Sequence, residues 1–378
     1  MSNSDANVGV LSCPMAKANI QPFTNLIDLL RQISPKVEII AVHDEFSSIK
    51  ELQKDGFPNI TEIIHYSGST AVLSRISSYL KTQVRVSSRL LLSRGNDLWV
   101  FYLDDGLTLP MITAKLLRKD TLVILGGSQV LEVRIKGSKM GRVANVLAKI
   151  DFRLCNNIVV YSPRLITEWQ LEPYRHKILI AHRHYLNFEN FTVITPLPDR
   201  KPLIGYIGRL SAEKGIQHYA QALPAILNDR QDLRVLIGGD GPLKESIKAS
   251  LQEGGVAARV DLPGWISHND LPEYLNQLRL LVLPSYTEGL PNTMLEAMAC
   301  GTPVLATAVG AVPDVIIDGK TGFIMENNSP ECIAANVIRA LSSPNLEEIA
   351  EAGRRFVEGN FTFEKVVENW RRVLQDIA

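Results

Sequence analysis

Short, uninterrupted apolar runs alternate with longer amphipathic stretches along the whole chain. Leu98–Tyr102 and Leu280–Leu283 are two such runs, and runs of this kind are typical of strands buried on both faces of a parallel sheet. The repeated alternation of strand and helix patterns predicts an α/β architecture with parallel sheets. The predicted strands are Val8–Leu11, Val37–Val42, Ile60–His65, Leu98–Tyr102, Thr121–Leu125, Asn157–Tyr161, Ile178–Ala181, Leu203–Ile207, Arg234–Ile237, Arg259–Leu262, Arg279–Leu283, Pro303–Ala306 and Gly322–Met325.

One stretch interrupts this alternation and indicates a domain boundary. Residues 187–201 contain two prolines and fit neither the strand nor the helix pattern, as expected of a connection. We therefore predict a first domain over residues 1–195, a second over residues 196–360, and a closing helix over residues 361–378. The apolar face of that helix is formed by Val366, Trp370, Val373, Leu374 and Ile377.

The composition is that of a soluble globular protein. Of the 378 residues, 46% are hydrophobic and 21% are charged, and no apolar run approaches the roughly 20 residues that span a bilayer. The first seven residues lack the basic and apolar pattern of a signal peptide. The four cysteines have no CxxC spacing, so neither a zinc site nor a disulfide framework is predicted. These features favour the cytoplasm.

The net charge of zero hides an asymmetry between the halves of the chain. Residues 1–195 carry 23 Lys and Arg against 17 Asp and Glu, and residues 196–378 carry 17 against 23. One predicted helix of the first half has an apolar row of Leu73, Ile76, Leu80 and Val84, with Arg75, Lys81, Arg85 and Arg89 elsewhere around its axis. Such a region suits an anionic membrane surface, a phosphate-bearing acceptor, or an ordinary solvated helix face. No motif favours nucleic acid.

The segment from Pro284 to Pro303 carries the most specific chemistry. It places two carboxylates, Glu288 and Glu296, eight residues apart around a loop and the start of a predicted helix. Asn292 is suited to cap that helix, and a helix N-terminus attracts phosphate. The two carboxylates can accept hydrogen bonds from hydroxyls on either side of that phosphate, which is the layout of a nucleotide-sugar. The loop residues between them are Gly289, Leu290 and Pro291.

This segment resembles the donor-site signature of the retaining glycosyltransferases of family four. The resemblance rests on Glu288, seven residues, Glu296 and the following Ala-Met-Ala-x-Gly-x-Pro-Val. It implies the GT-B fold, in which two Rossmann-like parallel-sheet domains face each other across a cleft and a C-terminal helix crosses back to the N-terminal domain. In that family, the residue matching Glu288 orients the donor sugar and the residue matching Glu296 holds the ribose.

A cationic loop opens the second predicted domain. Gly208 ends the first strand there and lets the backbone approach a ligand closely. Arg209 and Lys214 follow it, and both are suited to clamp the phosphates of a diphosphate. The matching cations of the family stabilise the leaving diphosphate, so we interpret this loop as part of the donor site.

Two further turns of the second domain are donor-site candidates. Gly239 lies in a glycine-rich turn that could line the site, although a tight strand-to-helix connection accounts for the same pattern. Trp265 and Ile266 lie where the family receives the nucleotide base. Trp265 fits a stacking platform and equally fits a rim residue packed on its own domain.

The first domain offers fewer candidates for the acceptor site or the cleft. Gly126, Gly127 and Ser128 follow a predicted middle strand, at a place where many relatives have a histidine. His182 and His184 follow the last strand of the domain, where relatives more often show Asn-Gly. A structural role for both histidines is the alternative. No further ligand stands near this His-x-His, so no metal site is predicted.

Together these motifs favour transfer of a sugar from a UDP- or GDP-sugar to a glycan or lipid-linked acceptor, without a metal or other cofactor. The resemblance implies a hexosyltransferase that retains the anomeric configuration and acts in the cytoplasm or at the inner face of the cell membrane. Two alternatives stay open. A nucleotide-sugar epimerase of the same architecture would convert its donor without an acceptor, and a catalytically silent protein would bind the donor without transfer or hydrolysis.

Overall fold

The chain divides into two compact units. The computed structural model describes residues 7–13, 15, 20–44, 60–66, 72–93, 95–102, 106–126 and 139–377. The first unit comprises Met1–Tyr185 together with Phe363–Ala378, and the second comprises Leu186–Thr362.

The change from the first unit to the second comes about ten residues before the boundary predicted from the prolines. The reason is a set of hydrogen bonds that ties residues 192–195 to the second unit. The Asn276 side chain donates to the Thr192 carbonyl oxygen (2.9 Å) and accepts from the Ile194 amide (2.7 Å). Asn276 is buried, so it holds the connecting segment against its own unit.

The first unit is built on a parallel sheet with strand order β3-β2-β1-β4-β5-β6-β7. The strands are β1 Val8–Ser12, β2 Val37–Asp44, β3 Ile60–His65, β4 Leu98–Tyr102, β5 Asp120–Ile124, β6 Asn157–Val160 and β7 Ile178–Ile180. The α-helices are α1 Ile20–Arg31, α2 Val72–Leu92, α3 Thr108–Leu116, α4 Lys139–Leu154, α5 Arg164–Glu168 and, after the second unit, α13 Phe363–Asp376.

The centre of this sheet illustrates why the apolar runs form strands. All five residues of β1 and all five of β4 are buried. Gly9 pairs with Trp99 in the parallel register, and a Cβ at Gly9 would lie 2.6 Å from the indole ring. The missing side chain at Gly9 therefore makes room for the fully buried Trp99.

The second unit contains a parallel sheet of order β10-β9-β8-β11-β12-β13. Its central strands supply fully buried residues such as Ile204, Val235 and Val282 to one apolar core. The strands are β8 Leu203–Ile207, β9 Arg234–Gly238, β10 Val260–Gly264, β11 Leu280–Leu283, β12 Val304–Thr307 and β13 Phe323–Met325. The α-helices are α6 Ile216–Asp229, α7 Lys244–Glu253, α8 Leu271–Gln277, α9 Asn292–Ala299, α10 Val312–Val315, α11 Pro330–Leu341 and α12 Leu346–Asn360.

The closing helix α13 belongs to the first unit, as the resemblance predicted. It packs against α1, and its Trp370 is completely buried. The Trp370 indole N–H also donates to the His182 carbonyl oxygen at 2.9 Å. The alternative, a helix packed only on the second domain, is therefore wrong.

Helix α2 exposes apolar side chains and buries polar ones. Ile76, Leu80 and Val84 are 45%, 56% and 55% exposed, whereas Thr82 and Gln83 are buried. Although α2 has 21 residues, neither it nor any other described helix combines the length and the apolar composition that crossing a bilayer requires.

Candidate active site

The sequence-predicted donor residues gather at one edge of the second sheet. All strands of that sheet are parallel, so their carboxyl ends meet at the same edge, which is where α/β sheets bind ligands. Arg209 follows the end of β8, Gly239 follows β9 and Glu288 follows β11; Gly310, which is not one of the sequence-predicted donor residues, follows β12 at the same edge.

Two of the glycines at this edge pack their backbones together. The Gly239 amide donates to the Gly264 carbonyl oxygen at 2.7 Å, and Gly239 has a φ of 130°. A Cβ at Gly239 would overlap the carbonyl oxygen of Gly208. This close packing explains the glycine at position 239 by a tight turn, which was the alternative interpretation of the sequence. The backbone of Gly208 packs against that turn.

Lys214 and Glu288 form a close ion pair at this edge. The Lys214 Nζ lies 2.7 Å from Glu288 Oε1, with the side chains 26% and 10% exposed. Ser285 donates a second hydrogen bond to the same Oε1 at 2.7 Å. Because an ammonium and a hydroxyl both donate to it, the Glu288 carboxylate is fixed in place while Lys214 remains partly open to a ligand.

The backbone of Glu288 is also held, by the loop that follows β12. Gly310 has a φ of 58°, and a Cβ there would overlap the Glu288 carbonyl oxygen. The next residue, Ala311, donates its amide to the Gly289 carbonyl oxygen at 2.8 Å. The two loops therefore fit only because position 310 has no side chain.

Arg209 joins the same cluster through Tyr206. The Tyr206 hydroxyl donates to the Arg209 carbonyl oxygen at 2.7 Å. Burial raises the pKa of Tyr206, and the nearby carboxylates of Glu288 and Glu213 raise it further, whereas Arg209 opposes them. The Arg209 guanidinium lies 3.3 Å from Glu213 and is 56% exposed, so this ion pair is weak and the cation is available to a ligand.

The start of α9 differs from the prediction in one respect. The helix begins at Asn292, and Pro291, not Asn292, occupies the position that precedes it. No side chain caps this end. The prediction of an Asn292 cap is therefore wrong, since Asn292 already has helical geometry. The amides of the first turn have no partner within a helix and remain suited to a phosphate.

Glu296 makes a separate contact on the same helix. Its carboxylate is buried and lies 3.1 Å from His268 Nε2. The hydrogen bond with Glu296 raises the pKa of His268. Among the described contacts, Glu296 has none with Arg209, Lys214 or Glu288. The structure pairs Lys214 directly with Glu288, places Arg209 near them through Tyr206, and leaves Glu296 paired with His268.

The predicted base-binding residues follow β10. The Trp265 side chain is 68% exposed, so it is not packed on its own unit. Ile266 is half-buried, and its side chain occupies the space beside Gly238. This exposure argues against the rim interpretation of Trp265, and the stacking platform stays a prediction.

The first-unit candidates are less consistent with a ligand site. Gly126 lies two residues after β5, and Gly127 and Ser128 fall outside the described residues. Burial lowers the pKa of His182 to about 4 and that of His184 well below its usual value. Both rings are therefore neutral at pH 7, which favours the structural interpretation.

The His184 ring packs edge-on against Tyr161 and contacts the buried Arg183. Elsewhere, the described residues contain no group of three or more His, Cys, Asp or Glu arranged to hold a metal ion.

Sequence reasoning overlooked three side chains that position the candidates. Ser285 binds Glu288, Glu213 binds Arg209, and His268 binds Glu296. Ser285 and Glu213 each lie within four residues of a candidate, in the loops that follow β11 and β8. A search of those loops for polar residues would have found them. His268 is 28 positions from Glu296, so only the packing of the fold reveals their contact.

Comparison with known families gives matches to glycosyltransferases. Residues 187–356, which are 170 of the 378 residues, match the family model described as glycosyl transferases group 1. Alpha-D-kanosaminyltransferase from Streptomyces kanamyceticus is 33% identical over 150 residues, which are 40% of this chain and 39% of that protein. The chain thus spans about two fifths of the length of this curated relative.

Solved structures show the fold of the whole chain. Sucrose-phosphate synthase from Thermosynechococcus elongatus has a TM-score of 0.77 at 19% identity, over 98% of each chain. HepE from Anabaena, in complex with UDP-glucose, has a TM-score of 0.77 at 16% identity, over 98% of this chain and 100% of that one. The predicted GT-B fold is therefore confirmed.

Proposed function

We propose that the protein is a glycosyltransferase that uses a nucleotide-diphosphate sugar. The observation that carries the proposal is the cluster of Arg209, Lys214 and Glu288 at the carboxyl edge of the second sheet. Two cations there remain accessible beside a carboxylate that is fixed by Lys214 and Ser285. This cluster lies within the stretch that matches the family model.

The proposed reaction breaks the bond between the sugar C1 and the diphosphate. Arg209, Lys214 and the first-turn amides of α9 stabilise the negative charge that grows on the departing diphosphate. Glu288 orients sugar hydroxyls and favours the oxocarbenium-like state, and Glu296 holds the ribose. An acceptor hydroxyl attacks C1 from the face that the diphosphate leaves and gives its proton to a diphosphate oxygen. The anomeric configuration is thereby retained.

The substrates and the location are part of the proposal. UDP-hexoses are the first donors to test, because HepE, which shares the fold, binds UDP-glucose; GDP-hexoses come next. The acceptor is a glycan or a lipid-linked sugar, handled in the cytoplasm at the inner face of the cell membrane. No metal is required, because the two cations and the helix start supply the positive charge that a diphosphate needs.

Release of nucleoside diphosphate from UDP- and GDP-hexoses, measured with EDTA present, tests the chemistry without a known acceptor. We expect Arg209→Ala and Lys214→Ala to lower the release rate by at least about 100-fold, because each removes a donor to the developing charge. Lys248→Ala removes a cation of α7 whose side chain is 42% exposed and pairs with Glu245, and it should leave the rate unchanged. Wild-type rates in both site variants would contradict the assignment.

The same assay separates the two alternatives. NMR of the sugar product would show an epimerised nucleotide-sugar if the protein were an epimerase. A silent binding protein would give a calorimetric signal with UDP or GDP but no release of either from the sugar. For the transferase, the first-formed anomer of the released sugar should match that of the donor.

A further inference from the structure

Exposed apolar side chains concentrate on three neighbouring helices of the first unit. Helix α3 packs between α2 and α4, and these three helices hold ten of the 17 exposed large apolar side chains in the described part of the chain. The ten are Ile76, Leu80, Val84, Leu91, Leu92, Leu109, Ile112, Leu116, Val143 and Val146. We call this surface the α2–α4 face. An apolar concentration of this kind marks an interaction surface.

The arrangement of α2 shows that this exposure is built into the fold. Ile76, Leu80 and Val84 follow each other at intervals of four residues and therefore form one row along the helix. The face that α2 turns to the unit is partly polar: the buried Gln83 side chain donates to the Gly106 carbonyl oxygen (2.9 Å) and accepts from the Leu109 amide (3.2 Å). These bonds fix the rotation of α2, so its apolar row cannot turn inward.

The charges on the α2–α4 face have one sign. Helices α2 and α3 contain no acidic residue. The only acidic residue of α4, Asp151, is completely buried and accepts from Thr108. The exposed cations beside the apolar residues are Lys81, Arg85, Arg89, Lys149 and Arg153, and none of them forms an ion pair within the described residues.

Helix α13 of the same unit is an ordinary solvated helix and differs from the α2–α4 face. Its exposed face carries acidic and basic residues in equal number. Glu368 pairs with both Lys365 and Arg372, and the apolar residues Val366 and Trp370 are buried. Within the part of the chain that the structure describes, the cations of the α2–α4 face have no acidic partner and its apolar row has no cover.

We propose that the α2–α4 face docks the protein on an anionic phospholipid surface. The apolar row enters the boundary between headgroups and acyl chains, and the adjacent row of Lys81, Arg85 and Arg89 lies against lipid phosphates. The positive charge favours a membrane over a second copy of the chain as the partner, because the basic rows of two copies would repel each other. The inference builds on the membrane location proposed above but not on the sugar chemistry.

Vesicle sedimentation of the full chain tests this proposal. We expect binding to vesicles of phosphatidylcholine with 30% phosphatidylglycerol but not to phosphatidylcholine alone, and weaker binding at high salt. Because each basic residue near an anionic surface contributes roughly a fivefold factor, the triple variant Lys81→Gln, Arg85→Gln, Arg89→Gln should bind about 100-fold more weakly. Leu80→Gln with Val84→Gln should also weaken binding, while leaving a salt-sensitive remainder.

A control triple variant, Arg230→Gln, Arg234→Gln and Lys248→Gln, removes the same number of cations from the second unit. Their side chains are 33%, 54% and 42% exposed, and each pairs with an acidic residue. It should bind vesicles like the wild type. Equal binding to both vesicle types, or equal loss in the two triple variants, would overturn the proposal. So would a monomer-to-dimer shift in ultracentrifugation that the Leu80 and Val84 changes abolish. Unchanged UDP affinity in the first triple variant separates membrane docking from donor chemistry.

Discussion

At the residue scale, Glu288 is positioned from two directions at once. Lys214 and Ser285 hold its carboxylate, and the backbone of Gly310 packs directly on its carbonyl oxygen. A charged side chain that is fixed before the ligand arrives loses little freedom on binding. The position of Glu288 therefore depends on Gly310, 22 positions later, although Gly310 has no side chain that could take part in a reaction.

Substitution of Gly310 by alanine separates this packing from ordinary backbone strain. Gly310 and Gly319 have φ angles of 58° and 68°, so either change costs about 1 kcal/mol of conformational strain. A Cβ at position 319 meets nothing within 4 Å, whereas one at position 310 meets Glu288. We expect Gly310→Ala to lower the free energy of unfolding by about 3 kcal/mol or more and to lower nucleotide release sharply. Urea unfolding with equal losses in both variants would contradict this.

The candidate residues themselves could be predicted from the sequence, but their pairing could not. Glu288 and Lys214 stand in recognisable motifs, whereas their contact joins positions that are 74 residues apart. Asn292 was predicted as a cap from its residue type, but Pro291 precedes the helix and Asn292 lies inside it. Residue type fixes what a side chain is able to do, and the fold decides which partner it meets.

At the scale of elements, every predicted strand is present. Central strands such as β1 and β4 are buried throughout and therefore leave a continuous apolar signal. Helix faces were harder to predict. The sequence showed that Ile76, Leu80 and Val84 share one row of α2, but not that this row faces solvent. The orientation of this row depends on the hydrogen bonds of Gln83 to residues more than 20 positions away. The periodicity of the sequence contains no information on those bonds.

Helix α13 offers a test of how far one element stabilises the first unit. Trp370 is completely buried and donates to the His182 carbonyl oxygen. We expect Trp370→Ala to lower the free energy of unfolding by about 3–5 kcal/mol, from lost burial and the cavity left behind. Arg372 lies two residues later and its side chain is 65% exposed. Arg372→Ala should therefore change the free energy of unfolding by less than about 0.5 kcal/mol. Similar urea midpoints for the two variants would show that α13 contributes little.

At the scale of the whole molecule, the two units divide the proposed tasks. The second unit carries the family signature and the charged cluster, and the first carries the α2–α4 face. The predicted boundary at residues 195 and 196 was displaced because prolines mark a change in local structure, whereas Asn276 ties the segment before them to the second unit. The acceptor site could not be predicted, since no first-unit motif specifies its chemistry.

The positions of the four tryptophans allow the two units to be followed separately. Trp99, Trp169 and Trp370 belong to the first unit and are buried, whereas Trp265 belongs to the second and is 68% exposed. The shift of tryptophan emission on unfolding therefore reports the first unit, because Trp265 already contacts water. Calorimetry reports both units, each of which has its own sheet.

If the nucleotide binds only to the second unit, UDP should raise the midpoint temperature of one calorimetric transition and leave the midpoint of the tryptophan emission change unchanged. At a concentration of 100 times its dissociation constant, a ligand adds about 2.7 kcal/mol to the free energy of unfolding of the unit that it binds. Lys214→Ala should reduce that shift, and Lys248→Ala should retain it. An emission midpoint that rises as much as the calorimetric one would show that the first unit also holds the nucleotide or unfolds together with the second. Either result would refute the division of tasks between the units.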